Sequence, residues 1–298
     1  MKYAPIVVFA FNRLDSLCCT IDSLLQNEEA KESSLFIFVD GPRAYKTGES
    51  EKVNSVREYV RQISGFGSVS YEFSDENKGL GPSIISGVSK VIAENGRAIV
   101  LEDDLRFTGN FLSFMNQALD RYEAEKEVFS ICGYSNHVVR PSGYDADSYF
   151  CPRSSSWGWA TWQDRWVSVD WYLEPFEKYG CFKSKFNRWG GSDCFGMLKG
   201  WHDGRNKSWA IRFCFSQFLQ DKVSLFPMES KVINDGFDGQ GTNCKSWSRF
   251  HFDEDRSGRT DFMWPSDISV IKPLRKGVLR YHSIWKRVYS RIMYRIYG

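Results

Sequence analysis

The chain has 298 residues, 42% hydrophobic, 26% charged and 16% aromatic, with a net charge of +2. That length supports one large domain or two small ones around a substantial core, and the near-neutral balance excludes a protein that coats nucleic acid or another polyanion. No stretch approaches the ~18 apolar residues of a membrane span. The apolar run in "MKYAPIVVFAFNRLD" is too short for a secretory signal. The eight cysteines show no CxxC pair or disulfide-framework spacing, which implies reduced thiols in a cytosolic protein. Adjacent Cys18 and Cys19 read as helix packing residues. The four histidines (137, 202, 251, 282) form no zinc motif.

In chain order, "PIVVFAF" (5–11) is a continuous apolar run, as expected of a strand covered on both faces. Leu14, Leu17, Ile21, Leu24 and Leu25 then repeat at helical spacing. "LFIFV" (35–39) is a second strand, ending in the turn residues Asp40-Gly41-Pro42. Val53, Val56, Val60 and Ile63 mark a helix, and "SVSYEF" (68–73) a third strand. Pro82 suits the first turn of a helix carrying Ile84, Ile85, Val88, Val91 and Ile92 inward. "AIVL" (98–101) is a fourth strand, Phe111 to Leu119 a helix, and "VFSIC" (128–132) a further strand. This alternation predicts an α/β fold with a mostly parallel sheet and helices on both faces. Such sheets bind ligands beyond the carboxyl ends of their strands. Four polar clusters fall there: Asn12-Arg13, Asp40-Gly41, Asp75 to Lys78, and Glu102 to Asp104.

After about residue 133 the rhythm dissolves, and eight of the 11 tryptophans lie between Trp157 and Trp209. Trp159, Trp162 and Trp166 sit at helical spacing, a pattern that usually means packing. Trp157, beside Ser154 to Ser156 and Gly158, is the candidate for stacking on a bound ligand. From Lys272 to Gly298 there are eight Lys/Arg and no acid. Tyr281, Trp285, Val288, Ile292 and Ile296 recur there at three- or four-residue spacing. That pattern predicts a basic amphipathic helix suited to an anionic membrane surface, to its own domain or to a partner. The expected divisions are 1–132, 133–271 and 272–298.

The "EDD" of Glu102, Asp103 and Asp104 closes a buried strand. Carboxylates so placed suit Mn²⁺ or Mg²⁺ completed by water and phosphate oxygens; a charge cluster favouring the next helix dipole is the plainer reading. "NKGLGP" (77–82) matches no full phosphate-loop pattern and reads as a tight loop beneath a ligand or as a mere turn. "NDGFDGQGTN" (234–243) reads as an active-site loop or a structured glycine-rich turn.

The strand and "EDD" turn, with "VVFAFNR" and "FVDG", resemble the nucleotide-sugar domain of GT-A glycosyltransferases. More narrowly, they are similar to the N-acetylglucosaminyltransferase I-like family of eukaryotic N-glycan synthesis. "SSSWGWATWQDRW" (154–166), "SWAIR" (208–212) and "NDGFDGQGTNC" (234–244) resemble related bacterial surface-polysaccharide glycosyltransferases. The resemblance covers roughly residues 4 to 245. It implies a Trp-rich acceptor subdomain, a nucleotide-sugar donor that is UDP-linked, transfer with inversion, and a divalent metal. It places Arg13 near the diphosphate, Asp40 at the uracil, Asn77 at base or ribose with Lys78 near phosphate, and Asp104 on the metal. Glu102 and Asp103 would contact sugar, ribose and metal-bound water. The acceptor implied is a glycan on a polyprenyl diphosphate at the inner face of the cell membrane.

Where the eukaryotic relative has "WDDW", this chain reads "SWAIR", without acids. That leaves Asp203, six residues before Trp209, and Asp164, within the Trp block, as candidates for the base that deprotonates an acceptor hydroxyl. Either also reads as a surface ion-pair partner. A sugar-phosphate nucleotidyltransferase is the rival enzyme, but "FNRLDSL" is no triphosphate loop. A non-catalytic glycan-binding protein is the third reading.

Overall fold

The computed structural model of the chain describes residues 3–236, 250 and 252–297. Of the sequence features above, residues 237–244 of the "NDGFDGQGTNC" loop, Cys244, His251 and the side chain of Ile296 lie outside the described residues.

The amino-terminal half alternates as its apolar periodicity predicts. It runs β1 (Ile6–Ala10), α1 (Leu14–Leu25), β2 (Ser34–Val39), α2 (Glu49–Val60), β3 (Ser68–Phe73), α3 (Leu80–Asn95) and β4 (Arg97–Glu102). A short β5 (Leu105–Phe107), α4 (Phe111–Tyr122) and β6 (Val128–Cys132) follow. The second half adds β7 (Ser148–Cys151), β8 (Trp159–Trp162), α5 (Gln163–Val167), α6 (Lys183–Gly190), α7 (Cys194–His202), α8 (Ala210–Leu219), β9 (Val223–Pro227) and β10 (Val232–Asn234). Two helices end the chain, α9 (Lys272–Tyr281) and α10 (Ile284–Tyr297).

Among the described residues, eight strands form one sheet in the order β3-β2-β1-β4-β8-β6-β9-β7. Strands β1, β2, β3 and β4 are mutually parallel, β6 and β9 run with them, and only β8 and β7 oppose the rest. The sheet is therefore mixed and mostly parallel, as expected. It also runs through residue 132, so the Trp-rich half is built into it by β8, β9 and β7.

Alternation along each strand makes two cores. Ile6, Val8, Leu35, Ile37, Ile99 and Leu101 face α1, α2 and α4; Val7, Phe9, Ala98 and Val100 face α3 and α8. The Trp block departs from its predicted helix. Trp159 and Trp162 begin and end a strand, so their three-residue separation puts them on opposite faces of the sheet, one in each core. Trp159 packs with Trp166, Trp209 and Phe213, while Trp162 Nε1 donates to Leu119 O at 3.2 Å. All three tryptophans are buried, so packing was the right role and helix the wrong geometry. Cys19 likewise differs from expectation: it is exposed on α1 rather than packed.

Further aromatic packing joins α6, α7 and α8, and α9 lies over β7 and β9 through Leu274 and Val278. No described helix is long and apolar enough to cross a membrane.

Candidate donor and metal site

The parallel strands bring the loops after β1, β2, β3 and β4 to one rim. Phe9 and Glu102 are register partners, so the triplet emerges beside the first loop. The Phe11 N–H donates to Asp103 Oδ2 at 3.1 Å, and Arg13 Nη1 lies 3.3 Å from Asp104 Oδ2. From below, the buried Thr20 hydroxyl of α1 donates to Leu105 O at 2.8 Å, fixing the turn that follows the triplet.

β10 pairs antiparallel with β5, aligning Asn234 with Leu105. The Asp235 N–H donates to Asp104 O at 3.0 Å, and Arg106 pairs with the Asp235 carboxylate. A Cβ at Gly236 would collide with Asp104 Oδ2 and stand 3.0 Å from Asn234 Oδ1. The opening of the "NDG" loop thus rests directly on the triplet. The sequence marked this loop by its glycines, but strand pairing across 129 residues was needed to show where it lies.

Burial, then repulsion from Asp104 and Asp103, pushes the Glu102 carboxyl up to about 8. Burial and Asp104 push Asp103 up to about 7. At about 1.4 kcal/mol per unit, ionising each here costs on the order of 5 kcal/mol more than in water. Arg13 lowers both carboxyls but leaves them raised; a divalent cation has the charge to offset the cost. Among the described residues, no three His, Cys, Asp or Glu side chains converge as a complete metal cage. Mg²⁺-type sites need only one or two carboxylates, with phosphate and water filling the rest. The all-oxygen set of Asp104, its neighbours and Asn234 fits that requirement.

Asp40 is occupied differently from a free base contact. It accepts from the N–H groups of Gly41 (3.0 Å), Lys78 (2.9 Å) and Gly79 (2.8 Å), and from Asn77 Nδ2 (3.0 Å). Four donors fill the roughly four acceptor positions of a carboxylate. Asp40 therefore clamps the loop that starts α3, and a nucleobase N–H would have to compete with these donors. Asn77 Nδ2 also donates to Gly41 O at 2.8 Å. Gly41 lets the two loops touch: a Cβ there would lie 2.5 Å from the Glu76 carbonyl carbon. Asp40, Glu72, Ser74, Lys78, Ser83 and Ser86 line a small recess with Phe38 and Val39, and the Asn77 and Lys78 side chains are exposed at it.

One link between these loops had no sequence signal. Glu49, buried in the first turn of α2, accepts from Asn12 Nδ2 at 3.2 Å and from the Arg43 N–H at 2.8 Å, and pairs with the Arg43 guanidinium. Arg43 holds its carboxyl down at about 2.

The direction of β8 sorts the remaining candidates. Trp159 is level with Val100 and with Cys132, near the carboxyl ends of β4 and β6. Trp157, just before β8, is thereby carried to the donor rim, where it meets Tyr134 and Phe250 edge-on at 4.5 and 5.4 Å. Asp164, just after β8, lies beyond Arg97 at the amino end of β4. Six residues of strand, roughly 20 Å, separate it from the triplet. It pairs there with Lys126 (2.8 Å) and Arg165 (2.7 Å). The structure does not bring Asp164 to the site. Asp203 ends α7, and the segment after it approaches the start of α3, with Lys207 O 3.2 Å from a Cβ placed at Gly81. Lys199, Arg205 and His202 surround its carboxylate at 2.9, 2.8 and 3.3 Å and hold it well below the usual range. A carboxylate so held is a weak base in this arrangement.

No protein-family model and no curated protein sequence matches the chain. Among solved structures, GalNAc-T7 with UDP, GalNAc and Mn²⁺ is similar at 12% identity over 83% of this chain and 46% of that one, with a TM-score of 0.51. The fold is GT-A. Two other GT structures match less well. S. aureus TarS 1–349 has 11% identity, 80% and 61% coverage and a TM-score of 0.43. The mannosyltransferase PcManGT from Pyrobaculum calidifontis, in complex with GDP-Man and Mn²⁺, has 11% identity, 55% and 46% coverage and a TM-score of 0.35. The chain spans less than two thirds of the length of each of these structures. At such identities the likeness speaks for the GT-A architecture alone, and GalNAc-T7 carries it.

Proposed function

We propose that the chain is a metal-dependent glycosyltransferase that moves a sugar from a UDP-linked donor to a glycan acceptor, with inversion. The observation that carries this reading is the convergence of Arg13, the Glu102–Asp104 triplet and Asp235-Gly236 at the carboxyl rim of a GT-A sheet. A binding protein has no need of three costly carboxylates beside an arginine. A site that meets a diphosphate and a cation together does.

In this reading Asp104 would hold Mn²⁺ or Mg²⁺, while Glu102 and Asp103 would meet the sugar, the ribose and water at the metal. When bound there, a divalent cation would supply charge neutralisation for the departing nucleoside diphosphate. Arg13 turns toward the diphosphate. Asn77 and Lys78 border the nucleoside, whose recess Asp40 keeps in shape. Trp157 offers an aromatic face to the acceptor. Asp203 serves as acceptor base once acceptor binding draws its lysine and arginine partners away. Residues 1–132 then form the donor half, 133–271 the acceptor half, and 272–298 a membrane-facing tail.

The basic tail supports a lipid-linked acceptor, a glycan on polyprenyl diphosphate at the cytoplasmic face of a bacterial membrane. Such a step belongs to surface-polysaccharide assembly. The narrower kinship with the N-acetylglucosaminyltransferase I-like family rests on the motifs "EDD", "FVDG" and the Trp block.

The test is release of UDP from a panel of UDP-hexoses and UDP-N-acetylhexosamines. At least one donor should be hydrolysed in Mn²⁺ or Mg²⁺, and not after chelation or in Asp104→Ala. Metal-independent release, or none across UDP-, GDP- and dTDP-sugars, would overturn the reading.

A further inference from the structure

The two terminal helices meet the protein in opposite ways. α9 is an ordinary amphipathic surface helix. Leu274, Val278 and Tyr281 are buried, while Lys272, Lys276 and Arg280 form an exposed stripe at i, i+4 and i+8. Its end is fixed to the α6–α7 junction: the Ser192 hydroxyl donates to His282 O at 2.8 Å, and His282 Nδ1 lies 3.6 Å from Asp193, which in turn pairs with Arg153 at 2.8 Å. The helix is interrupted at His282-Ser283, so the stripe expected as one helix is two, and Tyr281 belongs to the buried side of the first.

α10 is inverted. Ile284, Trp285, Val288 and Ile292 lie between 44% and 84% exposed, whereas Ser290 is 1% exposed. With 3.6 residues per turn, those four side chains fall within an arc of about 100°, and Ser290 lies on the far side. Arg287 turns back instead, donating to Ser192 Oγ at 3.4 Å. An amphipathic helix of a globular protein ordinarily places its apolar stripe against the core. Here the polar side faces the body and the apolar side faces out.

We infer that α10 is an interfacial docking helix whose Ile284–Trp285–Val288–Ile292 face enters the headgroup region of an anionic bilayer, with Lys272, Lys276, Arg280 and Arg291 on lipid phosphates. Charge selects the occupant. Residues 272–298 carry eight Lys/Arg and no Asp or Glu, which complements anionic lipid and repels a second copy of the same segment. Because α9 is packed on β7 and β9, bilayer binding holds the acceptor half at a fixed attitude to the surface. The inference rests on the membrane part of the reading above, not on its chemistry.

The experiment floats the full chain with phosphatidylcholine vesicles, with and without phosphatidylglycerol. Binding should require phosphatidylglycerol, weaken with salt, and fall about tenfold in Trp285→Ser and in Ile292→Asp. If circular dichroism shows Ile292→Asp to be unfolded, Val288→Asn on the same face replaces it. Equal flotation of wild type and variants, no preference for phosphatidylglycerol, or a dimer that these substitutions dissociate without changing flotation would each overturn the inference. UDP binding in the same variants should be unchanged. Its loss in folded wild type would count against the transferase reading and leave the vesicle result standing.

Discussion

Arg13 Nη1 stands 3.3 Å from Asp104 Oδ2, joining residues 91 apart in sequence across the rim between β1 and β4. It brings a cation within ion-pair reach of the triplet, and in the proposed function it exchanges that carboxylate for a diphosphate. Arg13→Ala should weaken UDP binding in Mn²⁺ by about ten- to a hundredfold, the range for a charge-assisted hydrogen bond of roughly 1.5–3 kcal/mol. Arg13→Lys should restore part of it. Calorimetry reads both; unchanged affinity in Arg13→Ala would remove Arg13 from the donor site.

Gly236 is needed for closeness to Asp104. Gly236→Ala should displace the Asp104 carboxylate and lower metal-dependent UDP affinity by about tenfold, while the melting temperature moves by no more than about 2–4 °C. A loss of stability without a change in affinity would place the contact outside the site.

Asp40 tests whether a clamp or a base contact dominates. Asp40→Asn puts an amide donor among four existing donors, so unfolding free energy should fall by about 2–4 kcal/mol. Denaturant titration measures this. Full stability with lost UDP binding would show that Asp40 serves the nucleotide and not the loop.

Glu49 gives the pH dependence. Its folded carboxyl is held at about 2, below the ordinary 4.5, so its contribution is complete above about pH 4.5 and is lost as pH falls toward 2. Glu49→Gln should cost about 2–3 kcal/mol at pH 7, with the gap to wild type closing through that acidic window. A gap that stays constant down to pH 2 would mean that the ionised pair with Arg43 is not what stabilises these loops.

Strands β1, β2 and β4 were readable because each is a short apolar run, with β1 and β4 buried between layers of helices, while β3 is a mostly exposed edge strand read from its alternation. β8 was not. Trp159, Trp162 and Trp166 repeat at three and four residues, which periodicity assigns to a helix, while the pairing that makes a strand comes from β4 and β6, more than 25 residues away. Strand direction is equally silent in residue spacing, yet it alone sends Trp157 to the donor rim and Asp164 to the opposite one. The triplet, Arg13 and Asp40 could be nominated from their positions after predicted strands. That Asp40 is saturated by its own loops, and that Asp203 sits among Lys199, Arg205 and His202, depends on side-chain partners that no local pattern specifies.

Whether Glu102–Asp104 joins a divalent cation to a nucleoside diphosphate can be read by calorimetric titration of UDP into the full chain. UDP should bind in the presence of Mn²⁺, and that binding should disappear with excess chelator and in Asp104→Ala. Binding of equal strength with and without chelator, or in Asp104→Ala with Mn²⁺, would contradict it.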